Sequence, residues 1–274
     1  MRGVWLAVIL TGCFFKPTPS GETQDADTRS PDSRAVADGS GSSSCTFSDV
    51  TMLGIATNGW LKPGLSSDGL LLFHTENTNG ITVLKYLSRD NQTEIFGSTG
   101  GSVTGTGSGE EFVRWDSNTG ELDMYEPTQH AIQEYSMGML GMAMFDKTLR
   151  AGAVEPAACD DGKSFIDLVM LTGALQVIDG GGATHVIYTP PSPDHVNDPT
   201  IGNADHTVIY YDMEAVGKAL FRIDFNDALT AVVAGPSMIS FSNGNSVDTE
   251  PMLTADGKEL YFIRDGQLTR AVCQ

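Results

Sequence analysis

From residue 46 onward, apolar residues gather in short runs, several of them alternating with polar ones, and each run ends at Gly, Asp, Asn, Ser or Pro. The runs at 81–87, 93–96, 122–125, 175–178, 185–188, 219–225 and 229–233 have the length and composition of strands. No segment carries apolar residues at the spacing of a long amphipathic helix. The pattern predicts a nearly all-β body. Residues 16–44 contain almost no large apolar side chain and are rich in Pro, Ser, Thr, Asp and Gly. Such a stretch buries too little surface to offset its ordering entropy, so it reads as a flexible tether.

The strand-like runs recur behind a common anchor. Lys62-Pro63, Glu155-Pro156, Asp198-Pro199 and Glu250-Pro251 are each followed by a short polar turn and then a β-rich run. Asp stands five residues after Pro at Asp68, Asp161 and Asp256; in the remaining copy Asp205 comes one residue later, with His206 in place of Gly. Asp68 and Asp161 are 93 residues apart, about twice the 44 and 51 of the later gaps, so one degenerate copy lies between them. Residues 107–115 fit that place, with Ser108 replacing the Asp. The mean spacing is 47 residues, the length of a four-stranded propeller blade. In each anchor Pro sets φ, the acidic residue and small polar residues bend the chain, and Asp-Gly closes a tight turn. The recurring Asp reads as a turn residue bonded to nearby backbone N–H groups, not as a catalytic acid.

These four runs resemble the WD-like repeats of the TolB-type β-propeller family, over about residues 46–274. The resemblance implies architecture: five blades by the count of anchors, with the six blades of TolB itself as the alternative. It carries no single activity, because the family's functions vary. The last repeat has room for two strands after its anchor, 260–264 and 267–273. Residues 46–55 have nothing else to pair with and are expected to close the last blade. That closure brings Cys45 and Cys273 into one neighbourhood, where a disulfide would stabilise by roughly 3–5 kcal/mol in the chain-entropy model. Cys159 is then the odd thiol. A bridge from Cys159 to one of the others, or three reduced cysteines, stays open.

The N-terminal residues read as an address. Met1-Arg2 precede an apolar run at 3–10, and Leu10-Thr11-Gly12-Cys13 resembles a bacterial lipobox. The run is too short for a membrane-spanning helix, which needs ~20 residues. The reading is a signal at 1–12, a lipidated Cys13 opening a tether at 13–44, and a propeller domain at 45–274. Phe14 after the Cys, rather than Asp, points by resemblance to the outer membrane, facing the periplasm or the cell surface.

Charge narrows the partners. Against 16 basic residues stand 35 acidic ones, leaving −19, of which −18 belongs to residues 45–274. Such a field repels a phosphate backbone, so nucleic acid is excluded as a partner. His74, His130, His185, His195 and His206 lack zinc-motif spacing, and the Asp-rich stretches at 192–198 and 224–227 lack the form of a calcium loop. There is no nucleophile elbow and no phosphate loop. No cofactor and no catalytic residue is implied. The Met-rich stretch 137–144 could hold Cu(I), although a buried, gap-filling strand is the plainer reading. The expected protein is a monomeric, lipid-anchored, non-catalytic propeller that binds an envelope protein, peptide or glycan, touching the membrane through its anchor alone. Two alternatives remain: a glycoside hydrolase with two axial carboxylates, and a metal-holding envelope protein.

Overall fold

The computed structural model describes residues 46–274 apart from 79–80, 108, 117–118, 138–141, 160–163, 170–171, 192–194, 203–206, 213–217, 227–228 and 243–244. The described residues contain no helix and form five antiparallel four-stranded sheets. The first blade is β2 (Trp60–Leu65), β3 (Leu71–Thr78), β4 (Ile81–Ser88) and β5 (Gly100–Val103). The second is β6 (Glu111–Asp116), β7 (Glu121–Glu126), β8 (Ala131–Met137) and β9 (Ala143–Ala151). The third is β10 (Ala157–Ala158), β11 (Phe165–Leu168), β12 (Leu175–Ile178) and β13 (Thr184–Tyr188). The fourth is β14 (Asn197–Gly202), β15 (Thr207–Asp212), β16 (Ala219–Phe225) and β17 (Val232–Met238). The fifth takes β18 (Asp248–Leu253), β19 (Glu259–Arg264) and β20 (Gln267–Cys273), and its outer strand is β1 (Phe47–Ala56) from the other end of the body.

The inner strands β2, β6, β10, β14 and β18 neighbour one another in sequence order, and β18 returns to β2, so the ring is closed. Five apolar clusters fill the five blade interfaces. Ile166, Leu175, Val208 and Ile223 lie between the third and fourth blades; Leu220, Leu253, Leu260 and Phe262 lie between the fourth and fifth. Trp60, Leu72, Tyr261 and Leu268 seal the fifth to the first, and Phe73, Phe112, Leu122 and Met124 the first to the second. The smallest cluster, around Tyr125, Ile132, Ala153 and Phe165, joins the second blade to the third, whose strands are short. At the first-to-second seam the backbone comes very close to an aromatic ring. A Cβ on Gly64 would stand 2.2 Å from Phe112 Cδ1, so only glycine fits there.

Blade count and closure follow the period of the sequence. The degenerate copy at 107–115 overlaps the inner strand β6, but Ser108 precedes that strand, whereas the recurring Asp follows the inner strand in the other blades, so Ser108 does not take the place of the turn Asp. The expected closing strand at 46–55 is β1, which pairs with β20 from Phe47 opposite Cys273 to Ala56 opposite Gln267. Three further details differ from the sequence reading. Residues 93–96 form no strand: Phe96, 1% exposed, fills the fifth-to-first interface from a loop, and the outer strand is β5 instead. The last strand of the fourth blade begins at Val232, not 229, because Leu229 is buried in the turn before it. Of the Met-rich stretch, residues 138–141 lie outside the described residues. Met137 packs half-buried against the core, but Met142 and Met144 are more than half exposed rather than buried between blades.

Candidate functional site at the propeller axis

The residue that begins each repeat, immediately before the anchor's Pro, faces the axis. In four blades it is Lys62, Glu155, Asp198 and Glu250, each with a left-handed backbone, at φ of 33°, 47°, 43° and 51°. These are uncommon values for residues with a Cβ and concentrate local strain at one level of the ring. In three of these strands a register shift marks the spot, between Leu61 and Gly64, Asn197 and Thr200, and Thr249 and Met252. A bulge re-aims the side chain of its strand. In the second blade Phe112 replaces Pro, the shift falls one position later, between Phe112 and Arg114, and Glu111 supplies the carboxyl.

Among the described residues, four carboxyl groups therefore share the axis with one ammonium. Lys62 Nζ lies 3.8 Å from Asp198 Oδ1 and 5.6 Å from the centroid of the Tyr125 ring. Lys62 is only 8% exposed, and its Nζ has no hydrogen-bond partner; Oε2 of Glu250 is likewise buried without one. Glu155 Oε2 accepts the backbone N–H of Asp198 at 2.8 Å, tying the third blade to the fourth. Burial pushes the Glu111 carboxyl up to about 7, with Asp198 and Glu155 adding to the rise and Lys62 opposing it. Glu250 is raised well above the usual carboxylate range, and Glu155 is raised too, in both cases chiefly by burial and next by Asp198. Tyr211, which hydrogen-bonds Asp198, is also raised by burial. Desolvation thus favours the neutral acids, and the single lysine compensates only part of the charge.

Above this ring opens a funnel of about 450 Å³. Lys62, Asp198 and Glu250 reach into it, Pro63, Pro156, Pro199 and Pro251 collar it, and Asp68 and Asp116 stand toward the inner-strand ends. Phe112 is the one aromatic residue lining it among the described residues. A sugar platform of stacked rings is not built here.

The recurring Asp residues make turns. Asp68 Oδ1 accepts the Leu70 N–H at 3.0 Å and the Ser66 hydroxyl at 2.6 Å, and Asp256 Oδ1 accepts the Lys258 N–H at 3.1 Å and the Thr254 hydroxyl at 2.7 Å. Asp161, Asp205, Cys13 and Cys45 lie outside the described residues. Cys273 is in a disulfide and Cys159 is a buried thiol. Among the described residues no three His, Cys, Asp or Glu side chains are placed to hold a metal ion. In the sequence these axial residues stand in the four Pro-containing anchors, where they read only as bends in the chain. Their shared signal is a charged side chain at the position before Pro.

The strand order defines a five-bladed β-propeller. The sequence matches no family model and no curated protein. Among solved structures, the putative TolB from Agrobacterium tumefaciens is 15% identical, with a TM-score of 0.48 over 75% of this chain and 69% of that one. TolB from Acinetobacter baumannii is 12% identical with a TM-score of 0.46, over 78% and 54%. Hydrazine synthase from Kuenenia stuttgartiensis is 18% identical with a TM-score of 0.46, over 75% and 55%. This chain spans about half the length of the last two.

Proposed function

We propose that this protein is a lipid-anchored, non-catalytic propeller of the bacterial cell envelope that recognises a partner at its central funnel. The anchor rests on the lipobox at Cys13 and the tether behind it. The observation that carries the binding role is the funnel itself, an open cavity whose floor holds buried charges without full partners. Such groups gain a partner when a ligand arrives. Metabolic labelling with palmitate tests the anchor: wild type takes up label, Cys13→Ser does not, and equal labelling refutes it. For the funnel, a photo-cross-linking residue at Ser67, on the exposed wall, should capture an envelope component that the same residue at Asp90, away from the funnel, does not.

A glycoside-cleaving role is the second reading, supported by the convergence of a proton-holding Glu250 with Asp198 at one end of the funnel. Against it stands the near absence of aromatic lining. Turnover of chromogenic glycosides that is lost in Glu250→Gln would establish the hydrolase over the binder.

A further inference from the structure

The axial ring already contains one organic cation, and its setting shows how another is held. Lys62 is a buried ammonium that approaches a carboxylate and the face of Tyr125 without hydrogen-bonding to either. Glu250 keeps an oxygen buried and unpartnered at the funnel floor. Four carboxyl groups face that single ammonium, and Asp68 and Asp116 extend the acidity along the funnel. The collar of four prolines and Phe112 is apolar and rigid, a wall suited to an aliphatic stem that carries its charge at the tip. A metal ion is a poorer occupant. Among the described residues no three His, Cys, Asp or Glu side chains are gathered around one point.

We propose that the funnel is a receptor for an organic cation, the ammonium or guanidinium tip of a basic peptide side chain, which enters past the prolines and pairs with Glu250. This rests on reading the funnel as the recognition surface and names what that surface takes. Charge-assisted hydrogen bonds from an N–H donor satisfy the orphaned oxygen, and the acidic body of the protein draws basic chains toward it.

Binding is coupled to protons. Burial pushes the Glu111 carboxyl up to about 7 and raises Glu250 well above the usual carboxylate range, and a bound cation favours their ionised forms, so protons leave as ligand arrives. The groups facing them are Lys62, Glu155 and Asp198, with Glu126, Asp167, Tyr125 and Tyr211 around the same level. Affinity therefore rises with pH, by about tenfold through the Glu111 titration near pH 7.

The test is calorimetric titration of the purified full chain with acetyl-Gly-Arg-Gly-amide and acetyl-Gly-Lys-Gly-amide, in buffers of different ionisation heat. Expected are binding of both basic peptides, none of the norleucine analogue, and a heat that reports proton release. Glu250→Gln, close in shape to the neutral acid, should weaken binding by at least about tenfold; Glu111→Gln provides the same reading if the first variant folds poorly by circular dichroism. Asp90→Asn, an exposed acid outside the funnel, should bind as wild type. Equal binding of the norleucine peptide, unchanged affinity in both glutamine variants, or uptake of calcium chloride or cellotriose in place of the basic peptides overturns the proposal. Cross-linking of a partner from Ser67 with no response to basic peptides sinks the cation assignment while leaving the recognition reading standing. Failure to cross-link sinks that reading.

Discussion

Arg89 and Lys62 are buried to nearly the same degree, at 7% and 8% exposed, yet their surroundings are opposites. Arg89, at the seam where the fifth blade meets the first, donates from Nε to the Gly69 carbonyl at 2.7 Å. Its Nη1 reaches the Glu94 carbonyl, Glu259 Oε2 and the Tyr261 hydroxyl, each at 2.9 Å. Glu259 turns its other oxygen to Arg270, and the guanidinium of Arg89 lies over Phe96. Every charge in that knot has a fixed partner. Lys62 has one carboxylate at 3.8 Å and no hydrogen bond. Low dielectric punishes an unpaired polar group and strengthens a paired one. A finished cluster therefore stabilises a seam, whereas an unfinished one facing an open cavity is a site waiting for a ligand's groups.

Breaking the finished cluster should have the largest effect. Arg89→Met leaves Glu259 with Arg270 and Tyr261 as its remaining partners and takes the donor from the Gly69 and Glu94 carbonyls, and we expect a loss of about 3–5 kcal/mol in urea unfolding. The same blade carries the disulfide of Cys273, for which we propose Cys45 as partner, since Phe47 already pairs with Cys273 in the β1–β20 ladder. Reduction should lower stability by about 2–4 kcal/mol, and non-reducing peptide mapping should recover the linked peptides. At the axis the contrast should appear in pH dependence. The folded state holds protons on Glu111 and Glu250 that the unfolded chain releases, so this stability is fully present below about pH 4.5 and lost as pH rises through their folded values. His74, lowered to about 4 by burial, acts only at lower pH, as do Glu76 and Asp256. Through the Glu111 titration, between about pH 4.5 and about 7, the protein should lose about 2–3 kcal/mol, and a Glu111→Gln, Glu250→Gln double variant should lose less, with Glu155 and Asp167, also raised by burial, supplying what remains. Glu250→Gln alone should leave stability at neutral pH within about 1 kcal/mol of wild type or raise it. The smallest change belongs to the solvent-exposed pair Lys258–Asp256, where Lys258→Ala should move the unfolding midpoint by less than the equivalent of about 0.5 kcal/mol.

The ring was legible because its determinants are local and repeated. Pro and an Asp-containing turn punctuate four of the inner strands, and the doubled gap locates the second blade, although out of register: Phe112 stands at the Pro position, so the matching turn follows β6 between Asp116 and Glu121 and not at Ser108. Closure by residues 46–55 followed from a strand with no other partner. The axis was less legible. Lys62, Glu155, Asp198 and Glu250 do bend the chain, as their positive φ records, and at Lys62, Asp198 and Glu250 a bulge also re-aims the side chain toward the axis. That convergence joins residues 43 to 188 positions apart and depends on the ring radius, which no local pattern contains. Residues 93–96 misled for a related reason: Phe96 is apolar because it packs against Tyr261 across the seam, with ring centroids 5.3 Å apart, not because it pairs in a ladder.

The strand that completes the fifth blade has a consequence for how the disc hangs. Because β1 is the outermost strand of its sheet, Thr46, just before it, lies at the circumference of the body. A flexible leash joined there, as proposed for this protein, would leave the bore unobstructed.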